Sequence, residues 1–156
     1  MGTEIERKFL VLDDSWRDGA AGRRLVQGYL CRDPERTVRV RLDGERGLLT
    51  IKGQSQGAAR AEFEYEVPRA DAEALLSMCL PPLIDKRRYE VEHEGARWEI
   101  DEFLGDNAPL VVAELELASE DASFERPPWL GREVTDDPRY FNSQLAQTPY
   151  SRWPTR

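Results

Sequence analysis

The feature that most constrains the fold is an alternation of charged and apolar residues, found in seven short segments of the chain. In the first segment, TEIERKFL at 3–10, the charged residues Glu4, Glu6 and Lys8 occupy every second position. Because successive side chains of a β-strand point to opposite faces, these three residues share one face. Six later segments repeat the pattern, at 38–42, 49–52, 62–65, 86–89, 98–101 and 114–117. The chain is therefore predicted to consist mainly of strands, each with one charged face.

Turn residues divide the chain into the predicted elements. Asp33-Pro34, the stretch 44–47 and Glu94-Gly95 are typical of turns, and the last two favour hairpins. Asp71 is a candidate N-cap of a mid-chain helix, and Pro138 suits the first turn of a C-terminal helix. The predicted strands are 3–12, 23–32, 36–43, 47–53, 60–68, 83–92, 96–103 and 110–118; the predicted helices are 71–79 and 138–147, with a helical turn within 13–22. With no repeat or linker, the prediction is one mainly β (α+β) domain over 1–156.

The charged faces indicate how these strands are arranged. In a β-sandwich the charged face of each strand is exposed to solvent, which accounts for the alternation within each strand taken alone. It does not explain why some strands are almost purely acidic and others almost purely basic. A closed eight-stranded barrel with its charges inward explains this sorting, and it has room for one small ligand. The predicted interior residues are Glu4, Glu6, Glu62, Glu64, Glu99, Asp101, Glu114 and Glu116, opposite Lys8, Arg39, Arg41, Lys52, Lys86 and Arg88. The apolar faces would then lie outward, covered by the helices.

Such an interior indicates the chemistry of the ligand. Buried charges are costly unless they are paired or occupied. Carboxylates suit hard divalent cations, and Arg and Lys bind phosphate oxygens. Both signs together therefore predict a site for a linear polyphosphate, with hydrolysis or transfer assisted by metal charge.

Composition excludes several other classes of protein. The formal net charge of -8 argues against nucleic acids or anionic membranes as partners. No run approaches the ~20 apolar residues of a membrane helix. Cys31 and Cys79 fit no disulfide or metal motif, which predicts a cytoplasmic protein. The expected partner is a small-molecule polyphosphate, and the chain is expected to be a monomer or a homodimer.

The charged segments also resemble a known family. EIERK at 4–8 resembles the ExExK signature of the triphosphate tunnel metalloenzymes, the CYTH superfamily. Further segments are similar to the family's other tunnel strands, in family order: RVR at 39–41, LTIK ending at Lys52, EFE at 62–64, DKRRY at 85–89, EID at 99–101 and ELE at 114–116. The stretch 127–146 resembles the tail of small bacterial members. The resemblance implies an eight-stranded antiparallel tunnel.

The resemblance also implies roles for individual residues. Implied metal ligands are Glu4, Glu6, Glu62, Glu64, Glu114 and Glu116, with Asp101 close to that set. Implied phosphate ligands are Lys8, Arg39, Arg41, Lys52, Lys86 and Arg88. The expected cofactor is Mg²⁺ or Mn²⁺, two ions per site. Glu99 has the same inward parity as the implied metal ligands, although pairing with an inward base is at least as good an interpretation of this residue.

The function expected from this resemblance is hydrolysis of inorganic triphosphate to diphosphate and phosphate. The alternatives are a thiamine triphosphatase, a nucleoside triphosphatase, a class IV-type adenylate cyclase, or a module that binds polyphosphate without turnover. Trp129, Tyr140 and Phe141 are expected to pack the C-terminal segment over one end of the tunnel.

Lys8 and Tyr29 are the candidate catalytic residues. Both have inward parity, and neighbouring cations are expected to lower the pKa of Lys8. A neutral Lys8, hydrogen-bonded to Tyr29, could then orient or deprotonate the attacking water. The alternative is that Lys8 stays charged and only binds phosphate, and both interpretations remain open from the sequence.

Overall fold

A computed structural model describes residues 3–154, in which nine antiparallel strands form one sheet that closes on itself. The strands are β1 (Thr3–Val11), β2 (Gly22–Cys31), β3 (Arg36–Asp43), β4 (Arg46–Gly53), β5 (Ala59–Val67), β6 (Leu80–His93), β7 (Ala96–Phe103), β8 (Val111–Glu116) and β9 (Leu130–Glu133). The order is β5-β4-β3-β2-β6-β7-β8-β1-β9, and pairing of β5 with β1 closes an eight-stranded barrel. The predicted mainly β barrel is confirmed. Residues 1, 2, 155 and 156 of the predicted domain lie outside the described residues.

The helices differ from the prediction in their bounds. The two α-helices are α1 (Arg69–Ser77) and α2 (Asn142–Gln147). Asp71 is not the N-cap of α1, because the helix begins after Pro68 and Asp71 lies in its first turn. The predicted helix 138–147 is interrupted at Phe141, whose extended backbone separates a 3₁₀ turn at Pro138–Tyr140 from α2. A 3₁₀ turn at Ser15–Arg17 fulfils the prediction of a helical turn within 13–22.

Two strands differ most from the prediction, and the others begin and end within two residues of their predicted bounds. β6 begins at Leu80, three residues before the predicted start, and Leu80 pairs with Tyr29 across a register shift in β2. β9 was not predicted, because its four residues show no alternation; it pairs with β1 near Phe9 and Val11. The predicted hairpin turn at Glu94 is confirmed, since Glu94 and Gly95 both have positive φ between β6 and β7.

The apolar outer face of the barrel is covered on some strands and bare on others. Helix α1 lies over β3, where Val40 packs with Ala72 and Leu76. Helices of nine and six residues are too short to cover every strand. The expectation that helices cover the whole outer face is therefore wrong on β5, where Phe63 and Tyr65 are 49% and 56% exposed.

Irregular segments cover the other strands. Trp98 of β7 is fully buried and packs edge-on against Trp129, which follows β8. The C-terminal segment forms a second cluster, in which Tyr140, Leu145 and Trp153 are buried with Ile84 and Phe103, among others. This packing brings Phe141 and Asn142 to the lining of the barrel interior, as expected for Tyr140 and Phe141. Trp129 differs from the prediction, because it packs against Trp98 on the outer face of β7.

Candidate active site

The charged faces of the strands surround a single cavity of about 210 Å³ inside the barrel. Every predicted site residue except Asp101 borders this cavity, and so does Glu99. Those residues are Glu4, Glu6, Lys8, Tyr29, Arg39, Arg41, Lys52, Glu62, Glu64, Lys86, Arg88, Glu114 and Glu116. The parity of each strand therefore predicted the inward side chains, and their individual roles remain predictions.

Asp101 lies behind the cavity wall, where both of its oxygens are already engaged. Arg88 donates to Oδ1 from Nε at 2.8 Å and to Oδ2 from Nη2 at 2.9 Å. Lys86 Nζ lies 2.7 Å from Oδ2. Although burial alone would raise its pKa, these two cations hold the pKa of Asp101 well below its usual range. In this structure the carboxylate of Asp101 is the counter-ion of Lys86 and Arg88, and its role beside the metal ligands stays a prediction.

Lys86 is the most deeply buried cation of the site. It is 1% exposed, and its ammonium group also donates to Asn142 Oδ1 at 2.8 Å. Burial lowers its pKa to about 7, because the attraction of Asp101 is outweighed by desolvation and by repulsion from Arg88 and Arg41. Crowded, partly desolvated cations of this kind form an environment that favours a polyanion.

Three carboxylates form a compact cluster in the cavity wall. Oxygens of Glu6, Glu99 and Glu114 all lie within 4.8 Å of one another, the only such group among residues 3–154. Burial, and then the charges of Glu114 and Glu4, raise the pKa of Glu6 to about 8. Closely spaced carboxylate oxygens are the donor set that Mg²⁺ and Mn²⁺ prefer, so these residues fit the expected ion.

Glu99 and Glu114 also contact the basic residues. Arg88 Nη1 lies 3.3 Å from Glu99 Oε1, and Arg88 Nη2 lies 3.3 Å from Glu114 Oε1. The interpretation of Glu99 as the partner of an inward base is confirmed. The same residue belongs to the carboxylate cluster, so the two interpretations do not exclude each other.

The wall formed by β4 and β5 has a looser arrangement. Lys52 Nζ lies 3.0 Å from Glu4 Oε1 and 3.4 Å from Glu62 Oε2. Glu64 accepts from Thr50 Oγ1 at 2.7 Å and lies 3.3 Å from Arg39. Glu4, Glu62 and Glu64 are therefore each paired with a base, and Glu64 is exposed. On β8, burial and then the charges of Glu4, Glu62 and Glu99 raise the pKa of Glu116, which is also exposed.

The environment of Lys8 differs from the expectation. Burial lowers its pKa, but Glu114, at 3.4 Å, and Glu6 raise it by more, so the protein's own side chains raise the pKa of Lys8. Lys8 Nζ donates to Tyr140 O at 3.4 Å and lies 5.5 Å from the centre of the Phe141 ring. The hydrogen bonds of the described chain do not join Lys8 to Tyr29, whose hydroxyl accepts from Gln27 at 3.4 Å.

Three residues at or near the cavity were not predicted as site residues from the sequence. Arg60 borders the cavity with the parity of Glu62 and Glu64, so the alternation on β5 could have identified it. Gln27 is fully buried and accepts from Arg41 Nε at 2.8 Å. Asn142 carried no signal, because it lies outside the strands and only tertiary packing brings it to the cavity.

Comparisons with known proteins point to one family. A model of the CYTH domain matches residues 2–147, which include every strand of the barrel. An inorganic triphosphatase of Acetivibrio thermocellus is 49% identical over 154 residues, or 98% of this chain and 99% of that protein. An inorganic triphosphatase of Nitrosomonas europaea is 38% identical over 149 residues, or 92% and 97%. The crystal structure of an inorganic triphosphatase, 37% identical, superposes with a TM-score of 0.66 over 91% of this chain and 96% of that one.

No helix among residues 3–154 is long and apolar enough to cross a membrane.

Proposed function

The chain belongs to the CYTH domain family, and from that premise we propose that it is a divalent-metal-dependent inorganic triphosphatase. It would hydrolyse inorganic triphosphate to diphosphate and phosphate inside the barrel. The observation that carries this proposal is the carboxylate cluster of Glu6, Glu99 and Glu114 beside a wall of buried cations, within one cavity. That arrangement suits a substrate made of consecutive phosphates with a bound metal.

The carboxylate cluster would hold one Mg²⁺ or Mn²⁺ ion. When bound, the ion would neutralise charge on the phosphate oxygens and polarise the bond that breaks. A second ion would be held by carboxylates that the sequence also assigned to metal, namely Glu4, Glu62, Glu64 and Glu116. Three of those acids pair with bases, Glu4 and Glu62 with Lys52 and Glu64 with Arg39, and these bases would be released to bind phosphate.

The cations would grip and orient the phosphates. Burial, and then repulsion from Arg39 and Arg88, lower the pKa of Arg41 to about 9, and this repulsion reflects cations crowded together. A phosphate chain relieves that crowding, and it accepts charge-assisted hydrogen bonds from the guanidinium groups. Arg39, Arg41, Lys52, Lys86 and Arg88 are the residues proposed for this role.

Lys8 and Tyr29 stay the candidates for assisting the attack of water. The carboxylates around Lys8 favour its charged form, which supports a role in binding and orienting a phosphate oxygen over a role as a base. Tyr29 faces the same cavity, and its hydroxyl can orient water or a phosphate oxygen.

The lining of the cavity favours inorganic triphosphate over its organic esters. Tyr29 and Phe141 are the aromatic residues that border it among the described residues, and the rest of the lining is mostly charged or polar. A nucleobase, a ribose or a thiamine ring would therefore find few partners, and the binding energy would come from the phosphates.

The test is a substrate panel scored by phosphate release. Tripolyphosphate, thiamine triphosphate and ATP are compared with Mg²⁺, with Mn²⁺ and with excess EDTA. The expected result is the highest kcat/KM for tripolyphosphate and loss of activity in EDTA. A higher kcat/KM for an organic triphosphate, formation of cyclic AMP, or tight binding without turnover would each replace the proposal with one of the alternatives. The cytoplasmic location and the monomeric or homodimeric state remain predictions.

A further inference from the structure

Asn142 joins cationic residues that belong to different strands. Its Oδ1 accepts from Lys86 Nζ of β6 at 2.8 Å and from Gln27 Nε2 of β2 at 3.2 Å. The other end of the Gln27 amide accepts from Arg41 Nε of β3 at 2.8 Å. One side-chain oxygen is therefore connected to two cations proposed to bind phosphate, one directly and one through Gln27.

The C-terminal segment is held firmly enough to fix that oxygen. Tyr140 precedes Asn142 and Leu145 follows it, and both are buried in the cluster that includes Ile84 and Phe103. The extended backbone of Phe141 interrupts the helix, and α2 begins at Asn142, whose side chain borders the cavity. The main chain of the same segment also contacts Lys8, through Tyr140 O.

The position of Lys86 depends on which of its partners it contacts. Asp101 attracts the ammonium toward the barrel wall, away from the cavity that Asp101 does not border. Asn142 lies on the cavity side, and its neutral oxygen accepts a hydrogen bond without neutralising the positive charge. Without Asn142, the strong attraction of Asp101 is left unopposed, and Lys86 is less available to a phosphate.

We propose that Asn142 is a positioning residue, whose amide oxygen holds Lys86 and Gln27 in place for a phosphate group of the substrate. This inference rests on the proposed function, because it concerns the binding of triphosphate at the same site. It makes the C-terminal segment part of the phosphate site as well as the cover of the barrel end.

The test is a mutant cycle on tripolyphosphate hydrolysis. Asn142→Ala is expected to raise KM about tenfold and to leave kcat within about twofold, since hydrogen bonds to charged groups typically have this strength. In a Lys86→Met background, Asn142→Ala is expected to raise KM by less than about twofold, because its partner is gone. The matched control is Gln144→Ala, a similar truncation on the same helix at a residue that does not border the cavity.

A purely structural role would give a different result. An unchanged KM in Asn142→Ala, or an equal rise in KM with and without Lys86, would overturn the proposal. Asn142→Asp is nearly isosteric and tests it if the alanine variant does not fold; its carboxylate faces the substrate, so a wild-type KM would also overturn it. Calorimetric binding of tripolyphosphate keeps the test independent of turnover. If the wild type binds but does not hydrolyse, the proposed function fails while the effect on affinity still decides the role of Asn142.

Discussion

The β6–β7 wall of the barrel and the β4–β5 wall share one alternating pattern, but they differ in how their charges are held. In the β6–β7 wall, Lys86 and Asp101 are each 1% exposed and lie in contact, and the outer face is covered through Trp98. In the β4–β5 wall, Glu64 is exposed, and the outer face carries the bare side chain of Phe63. The inner charges of the β6–β7 wall are cut off from water, so they must satisfy one another.

The difference separates a rigid half of the site from an adaptable half. A buried ion pair is costly to assemble and very costly to break on one side. A partly exposed pair contributes only about 0–1 kcal/mol, so its members can exchange partners. The β6–β7 wall can therefore present preformed cations, while the acids of β4–β5 can leave Lys52 and Arg39 for a metal ion.

The largest expected effect is on stability, and it comes from the β6–β7 wall. Asp101→Asn removes the counter-ion of Arg88 and Lys86, and the free energy of unfolding should fall by about 3–5 kcal/mol. Glu62→Gln, in the other wall, should cost less than about 1 kcal/mol. Urea unfolding of the two variants measures both values. Similar losses in both would remove the distinction between the walls.

The same pair predicts how stability depends on pH. The folded-state pKa of Asp101 is depressed from its ordinary value of 3.8, so its contribution to stability is present above that value. It is lost as the pH falls below it, when protonation in the unfolded state becomes favourable. Asp101→Asn should therefore show a shallower loss of stability than the wild type below about pH 4. Parallel curves for the two proteins would refute this pairing.

The next largest effect is on activity, and it is tested by replacing one carboxylate in each wall. Glu99→Gln removes a member of the carboxylate cluster, and kcat should fall more than about 100-fold, the upper value for groups that only support metal ligands. Glu64→Gln removes an acid already paired with Thr50 and Arg39, and kcat should fall about tenfold. Steady-state phosphate release at saturating Mg²⁺ measures both, and equal losses would contradict the ranking.

A smaller effect is expected from Arg60, which borders the cavity beside the β4–β5 wall. Arg60 is half-buried and donates to Gly53 O at 3.0 Å, so its guanidinium has donors left for a phosphate. Arg60→Ala should raise KM for tripolyphosphate about tenfold with little change in kcat. The control is Arg36→Ala, an exposed arginine paired with Asp33 outside the cavity. A rise in KM of similar size in both variants would point to a general loss of charge.

The smallest effect comes from the bare outer face. Phe63→Ala should change the free energy of unfolding by no more than about 0.5 kcal/mol, as at most exposed positions. Ile100→Val, on the covered outer face of β7, should cost about 0.5–1.5 kcal/mol although it removes only one methylene. Thermal or urea unfolding compares them. A larger loss for Phe63→Ala would mean that this face is covered in solution.

The sequence predicted those parts of the site that depend on strand parity alone. Glu62 and Lys52 could be placed in the interior because alternation within a strand is local. The contact between Arg88 and Asp101 was not predicted, although the predicted two-residue turn at Glu94-Gly95 sets the register in which these residues face each other. In that register Asp101 is the counter-ion of Arg88.

Tertiary packing explains the remaining differences. Asn142 reaches the cavity because Tyr140 and Leu145 are buried against the barrel. No local sequence pattern predicts this position of Asn142. β9 is too short to show alternation, and it is stabilised by its pairing with β1. The bare face of β5 likewise depends on which segments happen to cover the barrel, and its strand pattern resembles that of the covered strands.

The most direct test of the proposed site is a crystal structure with Mn²⁺ and imidotriphosphate, a non-hydrolysable analogue of the substrate. Anomalous scattering locates the metal without ambiguity. The expected result is a Mn²⁺ ion bound by oxygens of Glu6, Glu99 and Glu114, with the phosphates between that ion and the cations Lys86 and Arg41. Metal bound away from that cluster, or phosphates outside the barrel, would contradict the proposed site.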